Sequence, residues 1–547
     1  MSELTRRTFF KGAAALGAAA MLGGCAPQEM KESETKDAAA SGDDNAVVEV
    51  KHAWCKMCGP ARTHCSTLCT IKDGRWVHVE GNPEAGNNYG RGSRSLCAKG
   101  NAAMHTVYSP TRLLYPMKRT GEKGEGKFEQ ITWDQALDEI AAKLKEQKEQ
   151  YGAESYGVLS PQYYAVLGSL GRRFLNVHGS PNYLHSAICN SQRMFSRLVT
   201  IGGPVHGKAT DTAPGQLGKT KLLIVWGFNS ENSAINQGNP NGRLNAKENG
   251  MQIVDIRPMQ EGLGAHADYW LPVRPGTDGA LALAFLNIII GEDLYDHDFV
   301  ENWTEGFDEY KEYVKEFTPE KAEEITWVPA DKIREAARMW AEGGQGTMWV
   351  SPHSTTHHSN GVQSTRAIHQ LLGLMGYWDR EGCNKLAPGI TGTDDSSFQL
   401  KDVAKELLDQ RAGVERWPVW SLTSTYYQNN GLLEYINDGL IHAGVFLGTN
   451  LMNFAQTTLI QEAVSTLDYM DMVLPSAVCW ERVAPFQTQP TGLIGSQAAM
   501  EPAGEAREDW QILLDLGCAL GFEEECFHGD LKACMQAYLD AGGAGAT

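Results

Sequence analysis

The sequence has no apolar run of the roughly 18–20 residues that a membrane-crossing helix needs; residues 12–22 and 280–290 are the nearest approaches, and both are much shorter. Cationic charge is also scarce. Against 67 Asp and Glu stand 48 Lys and Arg, a net of −19, which argues against a protein that grips nucleic acid through clustered cations. With 42% hydrophobic and 21% charged residues the chain is neither disordered nor purely repetitive, and its 547 residues suit three or four domains. Twelve cysteines are too few for a disulfide scaffold at this length, yet five of them fall between Cys55 and Cys97.

Thr5-Arg6-Arg7-Thr8-Phe9-Phe10-Lys11, followed by the weakly apolar Ala/Gly stretch 12–22, resembles a twin-arginine export signal, a route used by proteins already folded around a cofactor. Leu22-Gly23-Gly24-Cys25 resembles a lipoprotein cleavage box, which implies either a lipidated Cys25 at the outer face of the cytoplasmic membrane or ordinary cleavage and a periplasmic protein. Residues 26–50 are acidic and nearly free of aliphatic side chains, as in a flexible tether.

Next comes Cys55-Lys56-Met57-Cys58, then Cys65, Cys69 and the distant Cys97-Ala98-Lys99-Gly100. Three thiolates from one loop and a fourth from elsewhere in the chain suit a four-iron cluster, because soft sulfur must approach a cubane from several sides. A four-cysteine zinc site remains the alternative, although its second half would normally carry another C-x2-C pair and here holds only Cys97.

These cysteines, with Asp73-Gly74-Arg75-Trp76-Val77, Glu80-Gly81-Asn82-Pro83 and Arg91-Gly92, resemble the N-terminal domain of the molybdopterin oxidoreductases of the dimethyl sulfoxide reductase superfamily. The resemblance implies a 4Fe-4S cluster on Cys55, Cys58, Cys65 and Cys97. In that family the third cysteine stands nine residues before the Gly of the Asp-Gly turn, which selects Cys65. The spacing from Cys58 to Cys65 is wider than usual, so Cys69 stays open as a ligand. Lys99 matches the family lysine between cluster and pterin.

Thr132-x-x-Gln135 opens an amphipathic segment with Ala136, Leu137, Ile140, Ala141 and Leu144 on one face and Gly152 beyond its end, which predicts a capped scaffold helix. Leu222-Leu223-Ile224-Val225-Trp226 is continuously apolar and ends in Gly227-Phe228-Asn229; Met251-Gln252-Ile253-Val254 ends in Asp255-Ile256-Arg257-Pro258. Together they predict a parallel β-α-β unit whose carboxyl edge forms a nucleotide crevice. No Gly-x-Gly-x-x-Gly occurs at Gly227, which disfavours a nicotinamide dinucleotide. The pattern partly recurs: Ala443-Gly444-Val445-Phe446-Leu447 ends in Gly448-Thr449-Asn450, and Asp268-Tyr269-Trp270-Leu271-Pro272 is echoed by Asp471-Met472-Val473-Leu474-Pro475. The second copy is shorter.

The fold class expected is therefore multidomain α/β: a small β-rich iron-sulfur domain (51–110) and two doubly wound parallel-sheet dinucleotide-binding domains (111–184 with 345–500, and 185–344), ending in a helical segment 501–547. The resemblance implies that two molybdopterin guanine dinucleotides hold molybdenum or tungsten between these domains. Gly227, Asn229, Asp255, Arg257 and the stretch Arg274, Pro275, Gly276, Thr277 and Asp278 fall at one site, Gly448 and Asn450 at the other. It further implies Cys189 as the protein ligand of the metal. His353, His357 and His358 form an HxxxHH group on a loop-like stretch, where zinc is improbable; family position makes His357 a proton donor beside the substrate. Cys383, Cys479, Cys518, Cys526 and Cys534 lack ligand spacing and read as packing residues.

By resemblance the chain is an exported catalytic subunit that passes electrons through the cluster to the pterin-bound metal, for oxygen-atom or hydroxyl transfer on a small substrate. The implied partners are an iron-sulfur electron-transfer subunit and a membrane anchor linked to quinol. Relatives continue beyond the point corresponding to Thr547 into a further β-rich domain, which raises the expectation of a partner that supplies it. The competing reading is a cofactor-poor, inactive remnant or binding subunit.

Overall fold

The computed structural model describes residues 47–55, 65–84, 96–159, 165–184, 192–201, 218–229, 240–351, 353–378, 380–384, 395–400, 407–418, 432–447, 469–489 and 492–541. Along the chain the elements that position the sites are β1 (Val48–Cys55), β2 (Cys65–Lys72), β3 (Arg75–Gly81), β4 (Met117–Arg119), β5 (Phe128–Gln130), α1 (Trp133–Tyr151), β6 (Tyr156–Leu159), α2 (Ala165–His178), β7 (Asn182–Leu184) and α3 (Gln192–Ile201). They continue with β8 (Leu222–Trp226), α4 (Pro240–Glu248), β9 (Gln252–Ile256), β10 (Tyr269–Leu271), α5 (Asp278–Gly291), α6 (Pro319–Thr326), α7 (Ala330–Glu342), β11 (Gly346–Val350) and α8 (Gly361–Leu374). Last come β12 (Ala443–Phe446), β13 (Met472–Val473), β14 (Ala484–Gln489), β15 (Gly492–Ser496) and α9 (Asp509–Leu520).

The architecture is multidomain α/β. One parallel sheet has the order β10-β9-β8-β11, with Leu222 opposite both Gln252 and Gly346. Alternate residues of β8 serve opposite faces: Leu222, Ile224 and Trp226 pack among α5, α7 and α8, whereas Leu223 and Val225 pack with Ala246, Met251 and Trp349. A strand covered on both sides needs apolar residues at every position, hence the unbroken run. Strand β11 belongs to this sheet, so residues 346–350 join the 222–256 unit and not the 111–184 unit with which they were grouped.

A second parallel sheet, β12-β6-β7, is covered by α1, α2 and α9 through Leu137, Leu144, Phe174, Trp510 and Leu513. Helix α1 is capped as its sequence predicts: Gln135 N donates to Thr132 Oγ1 at 3.2 Å, and Gly152 takes the φ of +85° that ends it. The echoed Asp471–Pro475 does not repeat the topology of its counterpart. Strand β10 pairs parallel with β9, but β13 pairs antiparallel with β4 in a separate sheet, β13-β4-β5.

The small sheet β1-β2-β3 forms its own core with Ala53, Ile71, Trp76 and Val79, into which Trp480 inserts at 5.2 Å from Trp76. Next to Trp480, Glu481 takes both guanidinium arms of Arg112, and Arg482 meets Asp509 at 2.8 Å at the head of α9. Residues 480–482 thus tie the cysteine-bearing sheet to the α/β layer. Among the described residues no helix is long and apolar enough to cross a membrane.

Candidate functional site

Strand β1 ends in Cys55 and β2 begins with Cys65; the connection 56–64, with Cys58, lies outside the described residues. Thr67 Oγ1 donates to Ala53 O at 2.9 Å, which fixes the two strands side by side. A link this short suits antiparallel neighbours, so the end of β1 and the start of β2 share one edge of the sheet. From farther along the chain, Cys97 opens a helical turn, Ala98–Asn101, closed by Asn101 N donating to Cys97 O at 3.1 Å. Gly100 of that turn is buried, and a Cβ there would stand 3.6 Å from Cys55 Sγ. The two cysteine segments therefore meet at Gly100. Cys65 and Leu96 pack on the same apolar cluster as Cys55. Segments that carry soft thiol donors, brought together where glycine permits a close approach, suit an iron-sulfur cluster.

Cys69 is placed differently. It lies in mid-strand opposite Val79, about 13 Å along β2 from Cys65 at the usual rise per residue. It is fully buried, with Thr67 Oγ1 at 3.7 Å, and burial pushes its thiol up to about 12. Lys99 is exposed on the turn, one residue from Gly100. Cys383, Cys526 and Cys534 are buried among apolar side chains.

At the carboxyl edge of β8 and β9 four of the sequence-derived residues assemble. Gly227 has φ +65°, and Ser354 crowds the place of its missing Cβ while donating through Oγ to Gly227 O at 3.0 Å. Asn229 donates through Nδ2 to Glu261. Asp255 and Arg257, both buried, pair at 2.7 Å, and Arg257 also donates to Phe228 O at 3.4 Å and to Glu261 O. Gly264 approaches this pair so closely that any side chain there would collide with it. Glu261 was not picked out from sequence; its only mark is its place four residues after Arg257.

After β10 the chain turns at Gly276, φ +82°, with open space where a Cβ would stand, and Thr277 Oγ1 donates to Arg274 O at 2.7 Å. Asp278 heads α5 from a buried position, where Trp226 Nε1 donates to its Oδ1 at 2.7 Å and burial raises its carboxyl above the usual range. A glycine-lined edge with amide, guanidinium and carboxylate groups fits the nucleotide end of a cofactor. Gly448 and Asn450 lie outside the described residues, so their strand β12 is seen but not their own place.

The HxxxHH group occupies turns between β11 and α8. His353 and His357 meet edge to face at 5.1 Å; His357 is exposed, His353 half-buried and pushed below its ordinary value by burial, His357 and Arg193. Arg193 is the second residue of α3, so the histidine loop neighbours the helix that follows Cys189, which is itself outside the described residues. His358 Nδ1 lies 2.5 Å from Asn360 Oδ1. Among the described residues no three Cys, His, Asp or Glu side chains stand close enough to hold a metal ion.

Comparison with known proteins adds three family matches: Molybdopterin oxidoreductase over residues 112–518, Molybdopterin oxidoreductase Fe4S4 domain over 48–109, and TAT (twin-arginine translocation) pathway signal sequence over 3–23. The chain is 28% identical to the thiosulfate reductase molybdopterin-containing subunit PhsA of Salmonella typhimurium, covering 95% of this chain and 69% of that protein. It is 31% identical to acetylene hydratase of Syntrophotalea acetylenica over 79% of this chain and 64% of the relative. With dimethyl sulfoxide reductase DmsA of Haemophilus influenzae it shares 27% identity over 96% of this chain and 71% of the other. Among solved structures, acetylene hydratase from Pelobacter acetylenicus superposes with a TM-score of 0.70 at 28% identity, covering 87% of this chain and 70% of that one.

Proposed function

The chain belongs to the molybdopterin oxidoreductases, and on that premise we propose that it is the catalytic subunit of a molybdenum or tungsten enzyme that removes or transfers an oxygen atom or hydroxyl on a small substrate. The twin-arginine signal indicates export across the cytoplasmic membrane. The observation that carries the reading is the approach of Cys55 Sγ to Gly100, because it joins segments 45 residues apart (100 − 55) around a thiol.

In this reading Cys55, Cys58, Cys65 and Cys97 hold the 4Fe-4S cluster, and the mid-strand Cys69 is a packing residue. Lys99, beside Gly100, sets an ammonium between cluster and pterin. Gly227, Asn229, Asp255, Arg257, Gly276 and Thr277 receive one molybdopterin guanine dinucleotide, with Asp278 offering a guanine edge the oxygen that Trp226 leaves. Gly448 and Asn450 receive a second. Cys189 is the metal's protein ligand, and His357 delivers a proton to the leaving oxygen. When bound, the cluster and the pterin-held metal supply the redox chemistry; the side chains bind, orient and move protons. A lipidated Cys25 anchors the protein at the outer face of the membrane, beside an iron-sulfur electron-transfer subunit and a quinol-linked anchor.

The names of the relatives supply the probes. Purified full-length chain, given an artificial electron donor, is tested on thiosulfate, dimethyl sulfoxide and, separately, on hydration of acetylene. Turnover of one of them that disappears in Cys189→Ala supports the reading. Iron and molybdenum or tungsten in the protein with no turnover of any probe moves the substrate outside this panel, and their absence leaves the inactive-remnant reading standing.

A further inference from the structure

Trp327 closes α6 in left-handed backbone, φ +66°, a conformation that bulky L side chains rarely take. Its amide donates to Glu323 O at 2.9 Å, a bond that glycine would make with less strain. Nor does packing account for the indole, which is 65% exposed. Helix closure therefore explains a residue here but not this residue.

What the indole does touch is Arg274, whose guanidinium carbon lies 4.9 Å from the ring centroid. Arg274 is held in turn by its own amide, which donates to Thr326 O at 2.9 Å, and it opens the turn that runs through Gly276 to Thr277 at the carboxyl edge of β10. Beside it, no atom beyond Gly276 and its two chain neighbours stands within 4 Å of the place where a Gly276 Cβ would be. A guanidinium plane against an indole, next to open space, offers flat cationic and π surface to a planar ring.

We propose that Trp327 and Arg274 form a stacking ledge for the purine base at the nucleotide end of the pterin cofactor. The proposal rests on the preceding assignment of the 274–278 turn to a nucleotide, and it adds the residue pair that grips the base by its face, where hydrogen bonds grip its edge. Stacking of this kind is sequence-tolerant, so the ledge contributes retention and the edge contacts contribute identity.

The test uses full-length holoenzyme with Trp327→Gly, Trp327→Phe and Trp327→Leu. Three quantities are read: thermal midpoint, iron per chain, and purine nucleotide released by acid hydrolysis after gel filtration. Trp327→Gly is expected to melt at the same or higher temperature, keep its iron, and retain at least about fivefold less nucleotide on dilution. Trp327→Phe, with a ring, should retain it; Trp327→Leu, with bulk but no ring, should not. Equal nucleotide in wild type, Gly and Leu variants overturns the ledge while leaving the assigned function intact. Nucleotide released without hydrolysis marks a free ligand and overturns the assignment to the cofactor. A wild-type chain with no pterin and no nucleotide overturns the assigned function, and the ledge with it.

Discussion

Replacing Arg112 by Ala should unfasten the cysteine-bearing sheet from the α/β layer. Arg112 Nη1 lies 2.5 Å from Glu481 Oε1, its Nη2 meets Oε2, and the carboxylate is wholly buried. Glu481 also accepts from Val478 N at 3.1 Å and Ala503 N at 3.3 Å, so two backbone donors would remain after the guanidinium is gone. Removing one partner of a buried ion pair costs roughly 3–5 kcal/mol; the two surviving donors place this case near the lower end, at about 3 kcal/mol. Glu481→Gln in the Arg112→Ala background removes the stranded charge and keeps an acceptor oxygen for one of those two donors, which use different carboxylate oxygens, so it should restore part of the loss. The assay is urea unfolding followed by tryptophan fluorescence, for which the Trp76–Trp480 pair, 5.2 Å apart beside Glu481, is a local reporter. An Arg112→Ala midpoint within about 0.5 kcal/mol of wild type would refute the reasoning, as would a double variant less stable than the single.

Cys65→Ser should lose cluster iron, whereas Cys69→Ser should keep it and cost only about 1 kcal/mol, since Thr67 Oγ1 stands ready to partner the new hydroxyl; iron retained in Cys65→Ser and lost in Cys69→Ser would reverse the ligand assignment. Cys189→Ala should retain a reducible iron-sulfur signal and lose substrate turnover, and full turnover in that variant would remove Cys189 from the site. His178 is buried between Tyr156 and Phe174, neither ring nitrogen has a hydrogen-bond partner among the described residues, and burial pushes it down to about 4 from 6.5. Because the unfolded chain takes up this proton first, stability should fall by about 3 kcal/mol as pH drops from about 6.5 to 4, and His178→Phe should flatten that slope in thermal midpoints measured against pH. An unchanged slope would show that other groups carry the acid sensitivity.

Local pattern carried the strands and missed their partners. The runs 222–226 and 252–256 were legible because β8 is covered on both faces and β9 buries all but its first residue. Gly346–Val350 was also strand-like, yet its pairing with Leu222–Trp226 is a contact across more than a hundred residues that no local periodicity encodes. The same holds for the repeated Asp-x-x-Leu-Pro. Asp268 accepts from Ile253 N at 2.8 Å within its own sheet, while Asp471 pairs with Arg119 in another, so like sequences serve unlike neighbours. The carboxyl edge of β8 and β9 was legible through Gly227, Asn229, Asp255 and Arg257, residue types that suit phosphate and ribose. Glu261 and Trp327 were not, because what marks them is a hydrogen bond to Asn229 in one case and a left-handed φ in the other. Asp278 carried a mark of function from its motif, but the indole that holds it comes from Trp226, 52 residues earlier at the end of β8.

Metal analysis of the purified full-length chain, with a low-temperature electron paramagnetic resonance spectrum after reduction, tests the central claim most directly. The account predicts about four iron and about one molybdenum or tungsten per chain, with an iron-sulfur signal lost in Cys55→Ser and Cys97→Ser alike because the segments that carry these two cysteines meet at Gly100. Zinc in place of iron, or iron that survives the loss of both cysteines, would contradict it.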